Sequence, residues 1–334
     1  MTFKIASTRD LMTATGEPCF PKRAFDVLKG NEQISWEWLP ETVNEITPDI
    51  MARYDGLHVN LPLVGAGSVA RNDCRCKIIA RNGVGFDTVD VAAMTTNGVV
   101  VTNTPIAVRR PVAVATMTML FALAGRLFDK DRLVRAGRWN DRVDYMGYGL
   151  TTRTLGLIGA GSIGKEIIKL ARPFFGDVIA ADPYAIAKDI EQVGGSLHER
   201  DTVLRKADFV VVCCLLTDET RHLMNDETFQ LMKPGSFYIN VGRGPIHNEA
   251  ALVRALESRR LAGAGLDVTE VEPIAADSPL LTMDNTIITA HSLCWTDECF
   301  ADIASTALQS IVDVARGRRP THVVNPEAAA HLAA

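Results

Sequence analysis

The sequence predicts an α/β protein made of two doubly wound domains, each a parallel sheet covered by helices on both faces. Three observations carry this. Short apolar runs rich in β-branched residues alternate with helical patterns along nearly the whole chain. The runs form two successive series. At 334 residues the chain is also too long for one ordinary core.

The first series reads FKIAST, ISWEWL, GLHVN, CKIIA and VVVTN, each short and apolar, as strands buried on both faces are. PVAVATMTMLFALAGRL follows, apolar at helical spacing, with Pro111 in a first turn where its missing N–H costs nothing. The second series reads TLGLIG, VIAAD, DFVVVCC, SFYINVG, GAGLDV and TIITA. The last helix lies around TDECFADIASTALQSIVDVARG, and the Ala-rich tail EAAAHLAA is expected to fray. The expected division is discontinuous: residues 1–103 plus 293–334 form one domain and residues 104–292 the other. Periodicity alone does not show that return of the chain.

Composition narrows the function classes. With 47% hydrophobic and 22% charged residues the chain is globular, and 35 basic against 40 acidic residues leave a net charge of −5. No basic cluster suited to nucleic acid occurs, so no nucleic-acid partner is expected. MTFKIASTRDL lacks the apolar stretch of a signal peptide, and no apolar run is read as approaching a membrane span. The expected compartment is the cytoplasm, with no membrane partner. The seven cysteines match neither a zinc ribbon nor a redox CxxC, so packing rather than chemistry, and no metal site, is expected of them.

TLGLIGAGSIGKEI carries the most specific local pattern. Gly159, Gly161 and Gly164 fit G-x-G-x-x-G directly after an apolar strand and at the opening of a helix. The first glycine allows a tight turn, the second a close backbone approach to a pyrophosphate, and the third tight helix–strand packing. A pyrophosphate would sit at the helix N-terminus, where N–H groups favour an anion. DVIAAD then ends in Asp182, placed to accept hydrogen bonds from an adenosine ribose. A carboxylate there repels a 2′-phosphate, and PYAIAKDI holds no arginine to receive one, so NAD is expected over NADP.

Four residue groups stand at predicted strand ends, where open parallel sheets bind ligands. NGVGFD follows CKIIAR, Arg243 follows SFYIN between two glycines, Glu272 follows GAGLDV, and His291 follows TIITA. Their chemistries are complementary. A histidine can donate a proton to a developing alkoxide, and a carboxylate beside it orients the ring and favours its protonated form. An arginine fork can fix a carboxylate, and N–H groups around Gly83, Val84 and Gly85 can cradle its oxygens. The set suits a 2-oxo or 2-hydroxy acid. The glycines beside Arg243 are read as clearing side-chain bulk around its guanidinium.

In order along the chain, NGVGFDTVD, VTNTPIAV, LGLIGAGSIG, LLTDETRHLMN, MKPGSFYINVGRGPI, LAGAGLDVTEVEP, TAHS and VVNPE carry a family likeness. Over nearly its full length the chain resembles the NAD-dependent D-2-hydroxyacid dehydrogenases. The resemblance implies a Rossmann NAD-binding domain and a flavodoxin-like substrate domain that closes on binding. It implies reversible hydride transfer between NAD(H) and a small D-2-hydroxy acid. By resemblance Arg243 binds substrate, Glu272 partners the histidine, and His291 is the acid/base. Asn82, Gly83, Val84 and Gly85 would join Arg243 and His291 around the substrate. Gly159, Gly161, Ser162, Ile163, Asp182 and Cys214 would hold the cofactor. Thr220, Val241, Gly242, Arg243, Asp267 and His291 complete that set. Asn103 and Asn240 would order the backbone of the cleft.

The resemblance also implies a homodimer, built through a helix from about residue 105 to 127 and the segment after it, which carries Trp139, Tyr145 and Tyr148. There are departures. Cys213, Cys214, Leu215 and Leu216 stand where the family often has histidine and proline, and RRPVAVATMTM lacks the common acid–histidine pair. Trp295 either narrows the substrate pocket or packs beneath the returning helix. Arg9 either reaches the substrate tail or is a solvated loop cation. Two rival readings stay open, an NAD(H)-sensing corepressor-like protein and a formate- or phosphite-type dehydrogenase. Glu272, where formate enzymes carry glutamine, counts against formate.

Overall fold

The structure is a computed structural model and describes residues 2–333. The chain divides into two compact units, one formed by the segments up to Val108 and from Trp295 onward, the other by Arg109–Cys294.

The first unit holds strands β1 (Phe3–Ser7), β2 (Ile34–Trp38), β3 (Gly56–Val59), β4 (Ile78–Arg81) and β5 (Val100–Thr102). They pair in parallel in the order β2-β1-β3-β4-β5, the flavodoxin-like arrangement, which reverses direction between β1 and β3. Successive side chains alternate faces. Leu57, Val59, Ile79 and Val101 enter one core, and Ile5, Ile78, Ala80 and Val100 the other. Helices α1 (Pro48–Arg53) and α2 (Val91–Thr96) contribute Met51 and Met94 to the first core.

The second core is completed by the last helix, Asp297–Ala315, through Ala307, Leu308 and Ile311. It packs so closely that a Cβ on Gly56 would lie 2.9 Å from Ile311. Among the described residues the tail packs on the core rather than fraying, contrary to expectation. Ala328 and Ala329 are buried in this core, small enough to fit beneath the helix. Asn325 pins the segment, accepting from Val101 N at 2.7 Å and donating to Val99 O at 2.9 Å.

The second unit holds β6 (Thr154–Ile158), β7 (Asp177–Ala181), β8 (Ser196–Leu197), β9 (Phe209–Val212), β10 (Ser236–Asn240), β11 (Leu261–Leu266) and β12 (Thr286–Ile288). Their order is β12-β11-β10-β9-β6-β7-β8, all parallel, which is the Rossmann arrangement with one added strand. Val210, Val212 and Tyr238 face one core, while Phe209, Val211, Phe237 and Ile239 face the other. Only β8 escapes the apolar-run reading, being two residues long.

Helix α3 (Pro105–Gly125) starts where the resemblance implies, near residue 105, and six residues before Pro111, where the apolar periodicity begins. Pro105 takes the first position, and Pro111 lies inside the helix, where it cannot donate to the carbonyl four residues back. With those added residues α3 is long and apolar enough to cross a membrane by length and composition. That corrects the expectation that no run approaches such a length. Its Ala113, Met117, Leu120 and Leu123 are buried against the sheet. Then come α4 (Leu127–Arg135) and α5 (Ser162–Ala171), followed by α6 (Ala187–Gln192), α7 (Arg200–Lys206), α8 (Asp226–Leu231) and α9 (Glu249–Glu257). The Asp297–Ala315 helix is α10.

Candidate active site

The loops that follow β10, β11 and β12 build one constellation within the second unit. At the end of β10, Asn240 is fully buried and its side chain folds the next turn. Its Oδ1 accepts from Gly242 N at 2.9 Å, and its Nδ2 donates to Arg243 O at 3.0 Å and to His247 Nδ1 at 2.9 Å. His247 is buried too, and burial pulls its pKa down to about 4, so it is neutral and able to accept.

The reason for the second glycine differs from the expected one. A Cβ on Gly244 would lie 1.7 Å from Thr269 O, so this glycine lets the loops after β10 and β11 touch backbone to backbone. Gly242 likewise faces Cys214 O, 3.0 Å from where a Cβ would be. Gly244→Ala is therefore expected to force these loops apart. We predict a loss of about 1–3 kcal/mol, as for other overpacked sites, read as a lower Tm, together with a rise in KM for substrate.

After β11, the buried Asp267 anchors the loop that follows β12. Its Oδ1 accepts from Thr289 Oγ1 at 2.5 Å and from Ser292 N and Leu293 N, each at 3.1 Å. Its carbonyl accepts from His291 N at 2.8 Å. These bonds hold His291 at φ +52°, a left-handed conformation that costs a side-chain-bearing residue free energy. The imidazole is thereby turned to Glu272, with Nδ1 2.9 Å from Oε2. Glu272 Oε1 accepts from Thr269 N at 3.2 Å.

Burial pushes the Glu272 carboxyl up. The His291 bond and charge, the Thr269 amide and the Arg243 charge more than offset this, and its pKa falls below the usual glutamate value. It is a carboxylate at neutral pH. Arg243 thus stands near enough to act on Glu272, and its Nη1 also donates to Gly242 O at 2.9 Å. The His291 and Glu272 side chains are 45% and 39% exposed, so the pair is open to a ligand.

The NGVG loop lies in the first unit, after β4. Two of its four expected contacts are already committed within the protein. The Asn82 side chain is buried, bonded to His58 Nε2 at 2.9 Å and to Asn60 Oδ1 at 3.3 Å. Gly83 N donates to Thr104 Oγ1 at 3.0 Å, and Asn103 Nδ2 donates to Val84 O at 2.8 Å. That leaves the amides of Val84 and Gly85, which have no protein acceptor among the described residues. Asn82 and Gly83 shape the loop through these bonds. Asn103 and Asn240 both order loop backbone.

The glycine loop fits a dinucleotide. Gly159 has φ +104°, and a Cβ there would lie 2.6 Å from Cys214 N. A Cβ on Gly164 would lie 2.5 Å from Gly159 O, so helix and turn are in contact. Around Gly161, by contrast, a Cβ would meet nothing within 4 Å, which leaves open space at the N-terminus of α5. The amides of Ser162 and Ile163 open that helix. Asp182 already accepts from Ala160 N at 2.8 Å and Tyr184 N at 2.9 Å, so it shapes the turn and keeps further lone pairs for a ribose. The Thr220 hydroxyl is engaged in its own turn, donating to Leu215 O at 2.7 Å. Burial raises both cysteine thiols beside the loop, Cys214 to about 11, so neither is a thiolate.

Residues 117–292 match the family model described as the NAD binding domain of D-isomer specific 2-hydroxyacid dehydrogenases. The chain belongs to this family. Its cofactor is accordingly NAD. Among curated relatives of this dehydrogenase, glyoxylate/hydroxypyruvate reductase B of Shigella boydii is 33% identical over 293 residues, covering 87% of this chain and 90% of the relative. D-3-phosphoglycerate dehydrogenase of Archaeoglobus fulgidus is 36% identical over 249 residues, covering 75% of this chain and 47% of the relative. The match thus spans about half the length of that phosphoglycerate dehydrogenase. Among solved structures, the TT0316 protein of Thermus thermophilus superposes with a TM-score of 0.83 at 29% identity, covering 96% of this chain and 99% of that one.

The sequence of this dehydrogenase pointed to one support and not the other. Asn240, read as ordering the backbone, holds the loop of Arg243; Asp267, read only as a cofactor contact, holds the loop of His291. A second histidine–carboxylate pair was also missed, His222 Nε2 with Glu270 Oε1 at 2.6 Å. The one available signal was the two glutamates in DVTEVEP. Trp295 packs on Phe300 of α10, with ring centroids 4.6 Å apart, and borders a cavity of about 530 Å³ with Phe20 and Pro21.

Proposed function

We propose that Arg243, Glu272 and His291 are the catalytic residues of a reversible 2-oxo acid reductase. The observation that carries this is the His291–Glu272 bond beside the Arg243 charge. Bound NAD(H) supplies or takes the hydride. His291 turns Nδ1 to the carboxylate, so Nε2 is the nitrogen that gives a proton to the substrate carbonyl oxygen in reduction and takes it back in oxidation. Glu272 holds the ring and stabilises its charged form. Arg243 and the amides of Val84 and Gly85 take the substrate carboxylate. Gly159, Gly161, Ser162 and Ile163 hold the pyrophosphate and Asp182 the ribose.

Short 2-oxo acids such as glyoxylate and hydroxypyruvate are the first substrates to test, since the reductase named for them matches over most of both chains. The enzyme works as a homodimer in the cytoplasm. Support for the dimer comes from the apolar side chains exposed on α4 and the segment after it, Trp139 at 61% and Met146 at 75% among them.

NADH oxidation with a panel of glyoxylate, hydroxypyruvate, pyruvate and phosphohydroxypyruvate tests the reading. We expect turnover of at least one short acid, and a clearly higher KM for NADPH because Asp182 repels a 2′-phosphate. No oxidation with any acid would remove the catalytic assignment, and a lower KM for NADPH would remove the role of Asp182.

A further inference from the structure

A chain of buried polar side chains crosses the carboxyl ends of β1, β3 and β4 in the first unit. Trp36 Nε1 lies 3.0 Å from Ser7 Oγ, and Ser7 Oγ lies 3.2 Å from His58 Nδ1. His58 Nε2 lies 2.9 Å from Asn82 Oδ1, and Asn82 Nδ2 lies 3.3 Å from Asn60 Oδ1. Asn60 Nδ2 lies 2.8 Å from Asp10 Oδ2, which also accepts from Leu61 N at 2.8 Å. Ser7 and His58 are fully buried, and Asn60 and Asn82 nearly so.

The ends of the chain fix the direction of every bond but that between Ser7 and His58, where the hydroxyl can rotate. An indole N–H only donates and a carboxylate only accepts. Asn60 must therefore turn its NH2 to Asp10 and its oxygen to Asn82, an orientation that the Arg81 guanidinium enforces by donating to Asn60 Oδ1 at 3.4 Å. Asn82 then gives its NH2 to Asn60 and leaves its oxygen to His58. His58 must carry its proton on Nε2, and its bare Nδ1 accepts from Ser7, whose oxygen accepts from Trp36. Flipping either amide would set acceptor against acceptor or donor against donor elsewhere in the chain.

We propose that His58 is a positioning residue, held as the neutral Nε2–H tautomer so that it clamps Asn82 and with it the Gly83–Gly85 loop that takes the substrate carboxylate. The part concerning substrate rests on the function proposed above. Burial is the dominant influence on the imidazole and lowers its pKa to about 4. The bond to Asn82 and the charge of Asp10 pull the other way, and Arg81 adds to the lowering. A second proton, on Nδ1, would charge a fully buried ring, which burial disfavours.

The test joins a spectroscopic and a kinetic readout on the full-length protein. With 15N-labelled histidine and His58→Gln for assignment, His58 is expected to show the Nε2–H tautomer and no titration between about pH 5 and 8, the range in which an ordinary histidine changes charge. His58→Leu is expected to raise KM for the 2-oxo acid about tenfold, leaving KM for NADH and kcat within about threefold. That is the cost of about one buried bond. His58→Gln, which keeps a donor facing Asn82, should recover most of the loss. A Nδ1–H tautomer, or titration in the ordinary range, would overturn the proposal even if the leucine variant does not fold. So would an unchanged KM, or equal rises in both Michaelis constants. If the wild-type protein reduced no 2-oxo acid, the proposed function would fail, while the tautomer would still decide the clamp.

Discussion

His291→Ala lowers kcat by about 10²–10⁴-fold, the usual contribution of a placed general acid, while NADH binding measured by fluorescence stays near that of the wild type. Alanine is the informative replacement. It carries a Cβ, so it meets the same left-handed backbone at φ +52° that histidine does, and the loop held by Asp267 is not relaxed by the change. What is removed is the imidazole, and with it the proton donor. The carboxylate of Glu272 remains, now without its partner at 2.9 Å. Near wild-type turnover in this variant would show that the proton comes from elsewhere and would end the assignment of His291.

Arg243→Ala acts on both kinetic constants. Loss of charge-assisted bonds to the substrate carboxylate costs up to about 3 kcal/mol, which is about 100-fold in kcat/KM. KM for the 2-oxo acid should rise and kcat should fall, because the same guanidinium polarises the neighbouring carbonyl as hydride arrives. Arg243→Lys should recover only part of this. Lysine keeps the charge and loses the planar fork that pairs with two oxygens. The carbonyl of residue 243 still accepts from Asn240 in either variant, so the loop keeps its course and thermal stability should change little. Full activity in the lysine variant would argue that a point charge suffices and that no fork is needed.

The strands of both sheets were legible because buried parallel strands are apolar, and eleven of them stand out as short runs; their order came only from the structure. Signals failed where length or composition misled. β8 is too short to form a run, and the periodicity of α3 begins only at Pro111, which reads as a first-turn residue, so its start near residue 105 came from the resemblance alone. The Ala-rich tail looks solvated until Asn325 is seen pinned to the backbone of Val99 and Val101. At the site, Arg243, Glu272 and His291 were legible as reactive side chains at strand ends. Of the side chains that hold them, Asn240 was read as ordering the backbone, but the support given by Asp267 was not legible, because it bonds mostly to backbone groups and periodicity carries no record of where those groups lie. His58 sits inside GLHV and reads as core, which by burial it is. His222 and Glu270 are 48 residues apart and meet only through the fold.

The left-handed histidine carries a consequence for any effort to harden this enzyme against heat. Backbone geometry at position 291 favours glycine, and the chain keeps an imidazole there against that preference. On the role proposed for His291, a search guided by melting temperature alone would select the change expected to abolish turnover. Durability and the proposed catalysis then pull on the same residue in opposite directions, so thermostabilising libraries should leave that position, and the aspartate that steadies it, untouched.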